Sequence, residues 1–306
     1  MADAATLVER VLGRVVGRRR EVELVVAALA ADRHVLLEGP PGTGKSTLLR
    51  AVADELGFGF EFVEGNAELT PARLIGHFDP ARVLADGYDP DVFVDGPLIA
   101  AMRDGSLLYV EEINRIPEET LNVLITLMSE GELHVPRLGR VVAEPGFRLV
   151  AAMNPFDAVG TARISSAVYD RVCRLAVDYQ SAGDEHEIVM RLVDPAPDPD
   201  WLAKVVEVVR RTRHHPDVRV GSSVRGAIDI AAVAASLAPL RRASPTSSEV
   251  GLDSAIVALS GRLRLRDGVS RNPESVVTEL WAEVFGEHSE SAGKVAAPNG
   301  ARHPTS

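Results

Sequence analysis

Residues 39–46 are Gly39-Pro-Pro-Gly-Thr-Gly-Lys-Ser46, which satisfies the phosphate-loop pattern in full. The apolar segment before the loop, 34–38, predicts a short buried strand, and residues 47–56 after it predict a helix. A glycine-rich loop between a strand and a helix N-terminus directs backbone N–H groups, and the positive end of the helix dipole, into one concavity. The sequence therefore predicts a phosphate-binding site here. A chance glycine-rich turn is the alternative, and both flanking segments argue against it.

The residues of this loop, together with the next residue in the chain, are the candidates for binding a nucleotide. They are Gly39, Pro40, Pro41, Gly42, Thr43, Gly44, Lys45, Ser46 and Thr47. We expect the Lys45 ammonium to meet the terminal phosphates and the Ser46 hydroxyl to bind magnesium.

The composition is that of an ordinary globular protein: 306 residues, 46% apolar and 25% charged. The net charge of −11 argues against broad binding to a nucleic-acid backbone, although a local basic patch stays open. No apolar run approaches the ~20 residues that cross a bilayer, and the N-terminus does not resemble a secretory signal. A single cysteine, Cys173, argues against disulfides and a cysteine-based metal cage. We therefore expect a cytoplasmic protein without membrane insertion.

Two adjacent carboxylates, Glu111 and Glu112, end a second apolar strand predicted at 107–110. In phosphate-loop enzymes the first acid of this element helps to hold magnesium, and a second acid can polarise the attacking water. We assign Glu111 to the metal and Glu112 to the water. A solvated acidic strand end is the alternative, and the complete phosphate loop upstream favours the functional interpretation.

Asn154 follows a third buried strand, predicted at 147–153. If the sheet is parallel, Asn154 lies beside the phosphate loop, where open α/β sheets place their ligands. There it would orient water against the γ-phosphate. A simple Asn-Pro turn is the alternative.

Three arginines are candidates for an arginine finger, the cation that stabilises charge on a transferring phosphoryl group. Arg171 is preferred because it ends a short helix directly before the strand predicted at 172–177. Arg174 and Arg163 are its rivals, and a surface salt bridge is the alternative for each.

The architecture changes near residue 180, where the signals become helical. Helices are predicted at 201–214, 223–240, 253–266 and 274–285. The second of these begins with Ser222 or Ser223 as its cap, and Arg225 in its first turn would reach the phosphates from a lid. A solvent-facing arginine is the alternative. We predict a nucleotide-binding domain at 1–180, a helical lid at 181–286 and a disordered polar tail at 287–306.

Two further segments have a predicted form but an open role. Residues 65–100 are rich in turn formers and predict a long insertion with at most short helices. Residues 132–146 predict a hairpin that would line a pore or lie plainly on the surface.

Together these motifs resemble those of AAA+ ATPases. The resemblance rests on Gly39–Ser46, Leu107–Glu112, Asn154, Asp170-Arg171 and Gly221–Arg225, in this order and spacing. More narrowly, Glu112-Ile-Asn-Arg115, Asn154-Pro155, Gly160-Thr161 and the Asp-Arg pair resemble the MoxR family. The resemblance covers about residues 10–285.

This resemblance implies an α/β core with a parallel five-stranded sheet in the order 5-1-4-3-2, a small all-α lid, and a ring that is usually a hexamer. It implies ATP and Mg²⁺ as cofactors, sensor roles for Asn154 and Arg225, and an arginine finger at Arg171 that acts on the neighbouring subunit's nucleotide. It also implies a partner with a von Willebrand factor A domain. One residue departs from the family pattern: Glu111 stands where an aspartate is usual.

The function expected is magnesium-dependent ATP hydrolysis that remodels, matures or activates a protein client, with no nucleic-acid partner. A magnesium-chelatase-like ATPase subunit is the nearest alternative. A nucleic-acid-stimulated motor and a scaffold that binds ATP without hydrolysing it also stay open. A GTPase is disfavoured because the chain has no Asn-Lys-X-Asp element.

Overall fold

A computed structural model describes residues 4–155 and 165–286. The chain divides into two compact units, Met1–Ile188 and Val189–Ser306. The boundary predicted after residue 180 precedes this division and stays a prediction. The predicted tail, 287–306, lies outside the described residues.

The first unit alternates strands and helices along the chain. Its strands are β1 (His34–Glu38), β2 (Phe60–Glu64), β3 (Gly76–Phe78), β4 (Phe93–Asp95), β5 (Leu107–Glu111), β6 (Glu132–Val135), β7 (Gly139–Val142), β8 (Arg148–Met153) and β9 (Val172–Ala176). Its helices are α1 (Ala4–Arg14), α2 (Arg19–Ala30), α3 (Lys45–Leu56), α4 (Pro71–Ile75), α5 (Pro80–Asp86), α6 (Pro97–Asp104), α7 (Glu118–Glu130) and α8 (Ser166–Tyr169), followed by α9 (Ala182–Leu192) at the boundary with the second unit.

Five strands form one parallel sheet in the order β2-β5-β8-β1-β9. Numbered along the chain, these strands read 2-3-4-1-5, so the predicted order 5-1-4-3-2 is confirmed. Glu38 aligns with Met153 and Glu64 aligns with Glu111 across neighbouring strands. The carboxyl ends of these strands therefore meet at one edge of the sheet, where α/β proteins place their ligands.

The sheet is covered on both faces, which is why its central strands are almost continuously apolar. Alternate residues of β5 belong to the apolar cores on the two opposite faces of the sheet, because successive side chains of a strand point to opposite faces. Leu107 and Tyr109 pack with residues of α1, α2 and α3, whereas Leu108 and Val110 pack with residues of α6 and α7.

The predicted insertion contains more regular structure than the sequence indicated. Strands β3 and β4 pair antiparallel, from Gly76 opposite Asp95 to Phe78 opposite Phe93. We expected at most short helices, and three-residue strands are too short for alternation to reveal them. The hairpin predicted at 132–146 is confirmed, with β6 paired to β7.

The second unit is mainly helical. It contains α10 (Pro199–Thr212), β10 (Val218–Val220), α11 (Val224–Arg241), α12 (Ser248–Leu259), β11 (Arg264–Leu265) and α13 (Pro273–Phe285). The helix predicted at 253–266 is wrong at both ends: α12 begins at Ser248 and ends at Leu259, and residues 264–265 pair antiparallel with β10 instead. The small helical domain is thus confirmed, with a short two-stranded ribbon in addition. None of the helices that the structure describes combines the length and hydropathy of a bilayer-spanning segment.

Candidate functional site

The phosphate loop joins β1 to α3, and α3 begins at Lys45. Gly42 and Gly44 have φ angles of 74° and 79°, a backbone conformation that glycine adopts without steric cost. A side chain at Gly39 would collide with the carbonyl oxygen of Val177, just after β9. The loop therefore needs glycine at 39 because another segment of backbone lies against it.

Lys45 lies inside the loop, with 8% of its surface exposed. Its Nζ donates hydrogen bonds to the carbonyl oxygens of Gly39 at 3.0 Å and Pro40 at 2.8 Å. The next side chain, that of Ser46, donates from Oγ to Glu111 Oε1 at 3.2 Å. The structure thus brings together the lysine, the hydroxyl and the first carboxylate that the sequence singled out.

Tyr109 adds a third oxygen to this group, one that the sequence did not single out. It is fully buried, and its hydroxyl lies 3.2 Å from Ser46 Oγ. Burial raises the pKa of Tyr109 far above its ordinary value, and the neighbouring Glu111 carboxylate raises it further. The phenol is therefore neutral at ordinary pH and has a proton to donate.

Glu112 has an unusual backbone conformation, with φ 52° and ψ 43°. A non-glycine residue in this left-handed region costs about 1–3 kcal/mol, and such residues cluster at functional sites. Its carboxylate lies 3.0 Å from an Arg115 guanidinium nitrogen. Behind it, the Gly65 N–H donates to the Glu111 carbonyl oxygen at 2.7 Å, which fixes the end of β5 against the residue after β2.

Asn154 directly follows β8, which is parallel to β1. The N–H of Gly39 donates to the carbonyl oxygen of Met153 at 3.1 Å. Asn154 therefore directly follows a residue that is hydrogen-bonded to the first glycine of the loop. This is the position expected for it in a parallel sheet.

Arg18 also contacts the phosphate loop. It is the residue that precedes α2, and only 5% of its surface is exposed. Its guanidinium donates to the carbonyl oxygens of Thr43 at 2.9 Å and Asp178 at 2.7 Å. Arg18 therefore links the phosphate loop to the segment after β9.

Glu38, the last residue of β1, is 4% exposed and has two partners from the far edge of the sheet. The Tyr169 hydroxyl donates to Glu38 Oε1 at 2.7 Å, and Arg174 forms an ion pair with Oε2. Burial, and then this hydrogen bond, raise the pKa of Tyr169 to about 12. Arg174, a rival for the arginine finger, is thus engaged by a buried carboxylate at the root of the loop.

Arg171 lies between α8 and β9, as predicted from the sequence. Its guanidinium donates to Ser129 Oγ on α7 and to the Ala167 carbonyl oxygen at 2.7 Å. The other rival, Arg163, and the Gly160-Thr161 pair lie outside the described residues.

Arg225 belongs to the second unit and is exposed in the first turn of α11. Ser223 occupies the N-cap, but its side chain makes no capping hydrogen bond. Ser222 is instead buried, and its N–H donates to Thr212 Oγ1 at 2.9 Å. The approach of Arg225 to a nucleotide stays a prediction.

Curated proteins similar to this chain include two uncharacterized bacterial proteins. YeaC of Bacillus subtilis strain 168 is 29% identical over 248 residues, which cover 72% of this chain and 74% of YeaC. A Staphylococcus epidermidis ATCC 12228 protein is 30% identical over 223 residues, which cover 71% of this chain and 83% of that protein.

Solved structures support the fold. A candidate ATPase from Cytophaga hutchinsonii aligns with a TM-score of 0.53 and 18% identity, over 90% of this chain and 92% of that one. A RuvB mutant from Thermotoga maritima aligns with a TM-score of 0.55 and 19% identity, over 81% of this chain and 72% of that one. At such identities the likeness concerns the fold alone.

One protein family matches residues 34–172, and its description is AAA domain, dynein-related subfamily. The matched range begins at β1 and ends at the start of β9, so it contains the phosphate loop, both adjacent carboxylates and Asn154. Given this match and the extent of the Staphylococcus relative, the chain belongs to the dynein-related AAA domain family.

Proposed function

We propose that this chain is a magnesium-dependent ATPase of the MoxR type, which acts in the cytoplasm as a ring, usually a hexamer, to remodel a protein client. The observation that carries the proposal is the convergence of Lys45, Ser46 and Glu111 at the edge of the sheet. The motif Glu112-Ile-Asn-Arg115 supports the narrower MoxR assignment.

The residues present suit a nucleotide with its magnesium ion. Among the described residues no cluster of three or more His, Cys, Asp or Glu side chains is arranged to hold a metal by itself. Magnesium does not need one, since it is commonly held by one or two carboxylates together with substrate phosphates and water. Ser46 and Glu111 would hold the ion, and it would neutralise charge on the β- and γ-phosphates.

The remaining residues divide the work of hydrolysis. The loop N–H groups and Lys45 bind the phosphates, and Glu112 accepts a proton from the attacking water. Asn154 orients that water. Arg171, from the neighbouring subunit, and Arg225, from the lid, supply positive charge that is most useful as the γ-phosphate leaves.

Coupling to a client follows from the ring. Hydrolysis at one subunit boundary would change the angle of the helical lid and so move the neighbouring subunit. We propose that a partner with a von Willebrand factor A domain connects this movement to the client.

The variant Glu112→Gln tests the proposal. We expect it to bind ATP with the wild-type affinity and to lose steady-state turnover, because glutamine cannot accept the proton. Glu64→Gln is the matched control: it removes a carboxylate from the end of the neighbouring strand, in register with Glu111, and should turn over normally. Unchanged turnover in Glu112→Gln would refute the role of Glu112.

The same variant can capture the partner, because an ATP-bound ring that does not hydrolyse keeps its complexes. A co-purifying protein with a von Willebrand factor A domain would support the MoxR assignment. Stimulation of wild-type turnover by DNA or RNA at moderate salt would favour a nucleic-acid motor instead.

A further inference from the structure

Tyr109 is a buried phenol in a strand whose other buried residues are leucine and valine. A buried hydroxyl without a partner is costly, so a tyrosine inside a core usually has a specific hydrogen-bond partner. Here the hydroxyl lies 3.2 Å from Ser46 Oγ, and Ser46 Oγ in turn donates to Glu111 Oε1 at 3.2 Å. These are the two side chains that would hold magnesium.

The geometry follows from the strand. Tyr109 and Glu111 are two residues apart on β5, so their side chains leave the same face of the sheet. The first turn of α3 brings Ser46 to that face. On the other side, the Tyr109 ring packs against Phe60 and Phe62 of β2, with ring centroids 5.8 and 5.6 Å apart. The ring is therefore fixed in direction, and so is its hydroxyl.

We propose that Tyr109 is a positioning residue for the magnesium site: its O–H donates to Ser46 Oγ and so holds the Ser46 O–H on the Glu111 carboxylate. The inference rests on the proposed function, because it concerns the metal of the proposed reaction. A serine hydroxyl accepts one hydrogen bond while it donates another, so Ser46 accepts from Tyr109 and donates to Glu111, whose carboxylate keeps lone pairs for a cation.

Glu111 stands where an aspartate is usual, and this difference explains why a positioning residue such as Tyr109 is useful. Glutamate has one more rotatable bond than aspartate, so its carboxylate loses more conformational freedom when it is held in one place. A hydrogen bond from a fixed phenol to Ser46 fixes the serine, and the serine restricts the carboxylate before the ion arrives. Partners of this kind orient metal ligands, and their removal typically lowers metal affinity 10- to 100-fold.

The variant Tyr109→Phe removes one O–H and keeps the ring that Phe60 and Phe62 contact. The measurement is the affinity for a non-hydrolysable ATP analogue in EDTA and across a magnesium titration, so the readout is binding and not turnover. We expect an unchanged affinity in EDTA and a magnesium half-saturation about tenfold higher than in the wild type.

Tyr169→Phe is the matched control, since it also removes a phenol hydroxyl, in this case one bonded to the buried carboxylate of Glu38. Its magnesium half-saturation should equal that of the wild type. Thermal unfolding of each variant without nucleotide checks that the comparison is made between folded proteins.

A second pair of variants separates positioning from a merely structural role. Glu111→Asp shortens the side chain and draws the carboxylate away from Ser46 Oγ. In that background Tyr109→Phe should change the magnesium half-saturation by less than about threefold, because Ser46 no longer connects the phenol to the carboxylate. An equal loss in both backgrounds would overturn the proposal.

The other outcomes are also decisive. If Tyr109→Phe and the wild type share one magnesium dependence, Tyr109 does not position Glu111. If the affinity falls equally with and without magnesium, the hydroxyl serves the fold and the proposal is wrong. If the wild type itself takes up no nucleotide, the proposed function fails, and this inference fails with it.

Discussion

Gly65 offers a way to displace Glu112 without touching any side chain of the site. A Cβ atom at this position would lie 2.9 Å from the carbonyl oxygen of Glu111 and from the carbonyl carbon of Glu112, and closer still to the Glu112 carbonyl oxygen. Gly65 does not adopt a positive φ, so alanine tolerates its backbone conformation. The whole effect of Gly65→Ala is therefore a collision with the peptide that carries Glu112.

The size of the displacement follows from these distances. Ordinary contact begins at 3.4 Å, so the peptide must retreat by at least half an ångström from the 2.9 Å positions, and by more at the Glu112 oxygen. A misplacement of about 1 Å can cost 10²-fold in rate. We predict that Gly65→Ala lowers kcat about 10- to 100-fold, which corresponds to about 1.4–2.7 kcal/mol of barrier.

The assay is steady-state phosphate release together with binding of a fluorescent ATP analogue. The affinity measured without magnesium should stay within about threefold of the wild type, because the loop between β1 and α3 would hold the phosphates, whereas Glu111 at the end of β5 would hold only the metal. Gly13→Ala is the control, since no atom lies within 4 Å of a Cβ at that position and alanine favours the helix α1. A folded Gly65→Ala protein with wild-type kcat would refute the reasoning that the position of Glu112 governs turnover.

Two further predictions concern stability. His34 Nδ1 accepts the Leu149 N–H at 2.9 Å, and burial, with the adjacent Arg33 charge, lowers the pKa of His34 below its ordinary value of 6.5. His34 therefore binds a proton more tightly in the unfolded chain than in the folded one, so the folded state loses stability as the pH falls below about 6.5. Urea unfolding at about pH 7 and 5.5 should show a smaller loss of unfolding free energy for His34→Gln than for the wild type. In the second unit, a Cβ at Gly251 would lie 2.6 and 2.8 Å from Trp281 ring atoms, so Gly251→Ala should destabilise this unit by about 1–3 kcal/mol. Calorimetry that finds this unit as stable as before would show that the indole moves aside freely.

The sequence predicted those parts of the fold that local patterns govern. Residues 34–38 were predicted as a strand and form β1 with the same bounds. The helix α7 ends at Gly131 with φ 67°, the left-handed conformation for which glycine is the usual residue after a helix. The strand order followed from the family resemblance, because order is a property of the whole sheet and leaves no mark in any single segment.

Contacts between distant segments could not be predicted in this way. Arg18 reaches Thr43 and Asp178, and nothing near Arg18 in the sequence distinguishes that contact from an ordinary helix start. The end of α12 was missed for a different reason. The apolar pattern continues past Gly261 through Leu263 and Leu265, and a helical period cannot show that the chain has already turned into a strand.

The least predictable contacts bear on the choice between Arg171 and Arg174 as the arginine finger. Arg174 forms an ion pair with Glu38, which is 4% exposed, and removing one partner of a buried charge pair leaves the other uncompensated. Arg174 would have to leave that carboxylate to reach a neighbouring subunit's phosphate. Arg171 contacts a serine hydroxyl and a carbonyl oxygen, which are both neutral. It can therefore exchange these acceptors for a phosphate without leaving a buried carboxylate unpaired. This difference in what each arginine leaves behind supports Arg171 as the finger and Arg174 as part of the support beneath the loop.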